Sequence, residues 1–190
     1  MAWLKLAIGV IFLGLATATP VPSQEQGTPQ EQQHQEQIDV FRMIGAFPKV
    51  VAFYTSRNDS SFKCLSAVLT AFNAENKTAT YLWPRASQGN GERRNVTFTI
   101  SAGDAHDQTK YFIDDDKSRV YKGYHHYTDY QNCMVMTITY RDHDHCLLWV
   151  KRSVAHAVPQ NCLDNYEANC EVRVPTFDND LCHDDEDNQS

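Results

Sequence analysis

Six cysteines behind an export-type N-terminus constrain this chain more than any other feature. Cys133, Cys146, Cys162, Cys170 and Cys182 crowd into the last third, while Cys64 stands far upstream. Lys5 gives a charged start, Leu6 to Leu15 a short apolar run, and Ala16-Thr17-Ala18 a small-residue cleavage site. That run is half the roughly 20 residues a membrane-crossing helix needs, so residues 1–18 read as a signal peptide, not an anchor. Cysteines sent to an oxidising compartment read as structural staples, not reactive thiols. No C-x-x-C spacing favours metal ligation.

Cleavage after Ala18 leaves 172 of the 190 residues, enough for one core. Losing Lys5 moves the formal charge from −7 to −8. An acidic chain without a basic stripe argues against nucleic acid or an anionic membrane as partner. Asn58-Asp59-Ser60, Asn76-Lys77-Thr78 and Asn95-Val96-Thr97 are N-glycosylation triplets, whose Asn58, Asn76 and Asn95 must face solvent if used. Asn188-Gln189-Ser190 also matches but sits at the extreme terminus and is discounted.

Residues 19–37 are rich in Pro, Gln and Glu and read as a flexible leader. Ile38, Phe41, Met43 and Ile44 then form an apolar stripe for one short helix, which Gly45 and Pro48 end. The folded domain is expected to span 38–182, and the acidic tail 183–190 reads as a solvated end. Inside the domain, strand follows strand: Lys49 to Thr55, Phe62 to Phe72, Thr78 to Trp83, Asn95 to Ser101 and Thr109 to Ile113. Arg119 to Tyr127, Cys133 to Tyr140 and Cys146 to Ser153 complete the set. Turn residues separate them at Arg57 to Asp59, Asn73 to Asn76, Gly89 to Gly91, Gly103-Asp104 and Asp114 to Asp116. Eight short strands without intervening helices predict a mainly β fold, an antiparallel up-and-down barrel with a sandwich as its competitor. Pro159 opens a closing helix that runs to about Cys170.

The run Tyr127-Thr128-Asp129-Tyr130-Gln131-Asn132-Cys133, Leu148-Trp149 after Cys146, Pro159-x-x-Cys162 and Asp180-Leu181-Cys182 resemble the tick salivary lipocalins, the histamine-binding-protein family. The likeness covers essentially the whole mature chain. Leu148 to Val154 with Val158-Pro159-Gln160 further resembles the Japanin-like branch, whose members modulate host dendritic cells and can hold a sterol. The Gly-x-Trp of ordinary lipocalins is missing, with Gly45-Ala46-Phe47 in its place, a departure the tick family shares. The resemblance implies an eight-stranded lipocalin barrel with a short N-terminal helix and a C-terminal helix packed outside. Six cysteines allow 15 pairings. The resemblance implies Cys133–Cys162 and Cys64–Cys182, which leaves Cys146–Cys170.

With that pairing, alternation along strands orients the side chains. Cys133 facing the outer helix turns Met134, Met136 and Ile138 inward, and Cys146 outward turns Leu147 and Trp149 inward. Cys64 outward places Leu65, Ala67 and Leu69 inside, and a solvent-facing Asn95 does the same for Val96, Phe98 and Ile100. The expected pocket is Leu65, Ala67, Leu69, Phe98, Ile100, Tyr121, Met134, Met136, Leu147 and Trp149. An eight-stranded barrel either fills itself or holds one small ligand, and both readings stay open. Amine-binding relatives, on this resemblance, carry acidic residues after the cysteine matching Cys133 and two before Trp149. Met134 and Leu147 stand there, which points away from histamine and toward a sterol-like or fatty-acid-like ligand, with methionine as an adaptable wall. Tyr121 and Tyr127, expected on one face, offer hydroxyls to a ligand's polar head, although strand tyrosines usually just pack.

His125-His126 alternate faces and cannot easily share an ion, and His143 to His145 are expected in a solvated hairpin loop. No metal or cofactor is therefore expected. No G-x-S-x-G, H-E-x-x-H or Gly-rich phosphate loop is present, so the chain is not expected to be an enzyme. Three functions remain: a secreted, lipid-binding immunomodulator, a biogenic-amine scavenger, and a filled barrel that displays loops to a host immune-cell protein.

Overall fold

Asp39 starts the first element, its carboxylate accepting from the amides of Phe41 at 3.1 Å and Arg42 at 3.0 Å. The helix it caps, α1, is Val40–Ala46, and it buries Val40, Phe41, Met43 and Ile44. The computed structural model describes residues 37–84 and 95–182. The expected signal peptide, nearly all of the leader, the Gly89 to Gly91 turn and the acidic tail lie outside the described residues.

Eight strands follow: β1 Lys49–Thr55, β2 Ser66–Asn73, β3 Thr78–Trp83, β4 Val96–Ala102, β5 Gln108–Ile113, β6 Tyr121–Thr128, β7 Cys133–Tyr140 and β8 His143–Val150. Each pairs antiparallel with the next, and β1 pairs with both β2 and β8, so the sheet closes on itself. The barrel thus has no open edge between its first and last strands, and it excludes the sandwich. The helix α2, Gln160–Asn169, lies against β6, β7 and β8. A two-residue strand that the sequence did not announce, β9 Val174–Pro175, pairs with Tyr54 and Thr55 of β1.

Three disulfides bind the ends to the wall. Cys133–Cys162 fastens β7 to α2, Cys146–Cys170 fastens β8 to the end of α2, and Cys64–Cys182 ties the approach to β2 to the C-terminal segment. Alternation then makes two cores. Cys133, Val135, Leu148 and Val150 face outward and pack with Tyr166 of α2. Met134, Ile138, Leu147 and Trp149 face the lumen, with α1 closing one end.

Three expectations need correction. β2 begins at Ser66, not Phe62, because Ser60–Phe62 is a 3₁₀ turn capped by Asp59 and Cys64 adopts a φ of 50°. β8 begins at His143 and ends at Val150, because Arg141 and Asp142 alone make the hairpin turn, with φ of 51° and 63°. His143 to His145 are therefore strand, not loop, and His145 is 1% exposed. Finally, β6 carries a bulge between His125 and Tyr127. It reverses the alternation, so Tyr127 leaves the face it was expected to share with Tyr121. Its hydroxyl accepts from Asn161 Nδ2 of α2 at 2.8 Å.

Candidate ligand cavity

The residues that line the lumen come from α1 and from all eight strands. Met43 and Ile44 form its floor, and Val50, Ala67, Tyr81, Trp83, Phe98 and Ile100 one side. Thr109, Tyr111, His125, Met134, Met136, Ile138 and Trp149 form the other. They enclose a cavity of about 60 Å³. No carboxylate, lysine or arginine belongs to this wall among the described residues.

The polar atoms of the wall are mostly committed to the backbone. Tyr81 donates its hydroxyl to the Phe47 carbonyl at 2.6 Å, with the Ile44 carbonyl at 3.3 Å, and so clamps the end of α1. Tyr111 donates to the Thr139 carbonyl at 2.7 Å and accepts from its amide at 2.9 Å. Burial raises the pKa of both phenols, so they stay protonated. His125, 4% exposed, meets Thr109 Oγ1 through Nε2 at 3.3 Å. Burial, with His126 as a lesser influence, pushes its pKa down to about 3, and the ring is neutral at physiological pH.

The opposite mouth is closed by rings. Phe62 packs on His145 at 4.5 Å between ring centres, on Trp83 at 5.8 Å and on Tyr140 at 6.1 Å. Trp83 in turn meets Phe98 at 4.2 Å and Trp149 at 5.6 Å. The 3₁₀ turn that delays β2 is what delivers Phe62 to this plug.

Of the expected pocket residues, Ala67, Phe98, Ile100, Met134, Met136 and Trp149 stand on the cavity wall. Leu65, Leu69, Tyr121 and Leu147 pack in or against the same core but off that wall. Tyr121 instead stacks on Tyr111 at 5.5 Å. The expected pocket omitted Val50, Tyr81, Trp83, Thr109, Tyr111 and Ile138 of the strands, and also Met43, Ile44 and His125. Met43 and Ile44 belong to the apolar stripe expected of a short helix, which does not say what the stripe covers, and His125 was weighed only as a metal ligand. Asn58, Asn76 and Asn95 are all exposed. Asp129, inside the Tyr127 to Cys133 motif, accepts from the amides of Gln131, Asn132 and Cys133 and builds the turn into β7.

The family model for tick histamine binding protein matches residues 27–184. This chain belongs to the tick histamine-binding protein family. Solved structures agree on the lipocalin barrel. Japanin from Rhipicephalus appendiculatus, bound to cholesterol, is 10% identical with a TM-score of 0.52, covering 69% of this chain and 93% of its own. AM182, in a serotonin complex, is 15% identical with a TM-score of 0.55, covering 75% and 92%. Lobster apocrustacyanin A1 is 12% identical with a TM-score of 0.50, covering 70% and 78%. At these identities the likeness to each of the three is one of fold. No curated protein matches the chain by sequence.

Proposed function

We propose that this family member is a secreted lipocalin that takes one small, largely apolar ligand, a sterol or other lipid, into its barrel and modulates host immune or inflammatory responses, dendritic cells among the targets. The cavity wall carries this reading, since the described residues bring neither an acidic nor a basic side chain to it. An ammonium ion held there would lose its water without a counter-charge, at a cost of several kcal/mol. Japanin's cholesterol favours the same choice, and AM182's serotonin keeps an amine as the alternative. Secretion into saliva is supported by the export-type start, the three disulfides and the exposed glycosylation triplets.

A second reading is favoured by the lumen's size. Binding pockets for drug-sized ligands run from roughly 300 to 1,000 Å³, several times the 60 Å³ here. A barrel this full suits a protein that works by presenting its loops to a host protein. Native mass spectrometry of the protein secreted by a glycosylating host separates the readings. A co-purifying lipid is the expected result. A bare mass with micromolar histamine uptake would replace it with the amine scavenger, and a bare mass with no uptake would favour the loop-presenting barrel.

A further inference from the structure

Of the buried side-chain polar atoms that lack a hydrogen-bond partner among the described residues, His125 Nδ1 alone belongs to the cavity wall. Its position is built. Thr109 Oγ1 holds the other ring nitrogen at 3.3 Å, and the His125 amide donates to the Asp107 carbonyl at 2.8 Å. Gly123 faces the same spot, and a Cβ there would stand 2.6 Å from Thr109 Oγ1. A side chain at 123 would push that hydroxyl off the imidazole. The wall of an apolar lumen thus keeps one buried ring nitrogen without a partner, which would cost stability if nothing met it.

We propose that His125 Nδ1 is the polar anchor of the ligand, and that it selects an apolar molecule bearing one uncharged hydroxyl over a fatty-acid carboxylate or an amine. The proposal rests on the apolar-ligand reading and narrows it. A carboxylate needs a cation, and the described wall has no lysine or arginine. His125 itself, its pKa held at about 3 by burial, supplies none. An ammonium group needs an anion, and the wall has no carboxylate. A hydroxyl fits either tautomer of the ring. If Nε2 accepts the Thr109 proton, Nδ1–H donates to the ligand oxygen. If Nε2–H donates to Thr109, Nδ1 accepts the ligand proton. A ketone serves the first arrangement alone.

The test compares cholesterol, 5-cholestene (the same skeleton without the hydroxyl), palmitate and histamine on the delipidated, disulfide-intact, full-length protein. Cholesterol should bind about tenfold more tightly than 5-cholestene, the worth of one buried hydrogen bond. Palmitate and histamine should compete weakly. His125→Leu should lose the preference for cholesterol over 5-cholestene while keeping affinity for the latter. Mere loss of packing would weaken both sterols alike. Equal binding of the two sterols by the unaltered protein, or a preference that survives in His125→Leu, overturns the anchor and leaves the apolar-ligand reading standing. Failure of both sterols to bind overturns the anchor and the apolar-ligand reading together. Should His125→Leu fold poorly, the sterol comparison on the unaltered protein decides.

Discussion

A neutral histidine in an apolar cavity also makes folding depend on pH. The unfolded ring titrates near 6.5 and the folded one near 3. Between those values the unfolded chain holds a proton that the folded chain refuses. Stability is therefore complete above the unfolded pKa and lost as pH falls toward the folded one, by up to about 1.4 kcal/mol per pH unit. Burial lowers the pKa of His126 and His145 as well, so all three act in the same direction. The urea midpoint should drop from pH 7 to pH 5, and His125→Gln should show a smaller drop. An unchanged slope in that variant would mean His125 accepts its proton while folded. Asp129 obeys the opposite chemistry with the same consequence. Burial works to raise its pKa, but hydrogen bonds from the amides of Asn132, Cys133 and Gln131 outweigh it, and the net shift is downward. Asp129→Ala leaves those amides without their acceptor and should cost about 1–3 kcal/mol in denaturant titration. A loss below half a kcal/mol would mean that water replaces the carboxylate.

At the scale of elements, the strands were legible wherever residue type and turn chemistry agreed. β1, β3 and β7 have the expected limits, because Val, Ile, Thr and aromatic runs end at residues that turn. β8 was misplaced because Arg141-Asp142 turns with positive φ and without glycine, so the sequence carries no turn signal there. The faces of β7 and β8 follow from the cysteines, which is why Met134 and Trp149 were placed inside. The bulge in β6 has no signature, and a count by twos carried across it sent Tyr127 to the wrong side. α1 illustrates a different limit. Its apolar stripe was visible, but nothing local says that Met43 and Ile44 floor a cavity. That role depends on Tyr81, a distant residue whose hydroxyl holds the carbonyls of Ile44 and Phe47. Tyr81→Phe keeps the ring but takes the donor from the Phe47 carbonyl, while the Ile44 carbonyl keeps the Phe47 amide at 3.2 Å. The change should cost roughly 1–2 kcal/mol. Amide exchange should quicken in α1 and stay unchanged in β7. Uniform quickening would mean that the hydroxyl supports the whole barrel.

For the whole molecule, the disulfides decide which part of the wall can yield to a ligand. Two of them lock β7 and β8 to α2, and the third fixes the approach to β2 at the mouth. α1 carries none. It is held by Tyr81 and by the Tyr130 hydroxyl, which accepts the Asp39 amide at 2.9 Å. A sterol cannot enter about 60 Å³ without displacing something. Close-packed aromatics at the mouth resist this more than unbranched methionines do. The floor of Met43 and Ile44, which shares the cavity wall with Met134 and Met136, is the side expected to yield. Saturation with cholesterol should therefore change amide exchange in α1 and at the ends of β2 and β3 beside it, while β7 and β8 keep theirs. The melting temperature should rise with ligand concentration, since a ligand that binds the folded state alone stabilises it by mass action. Exchange that changes at Ser60–Phe62 instead would place the moving wall at the mouth. The floor would then be as fixed as the bridges.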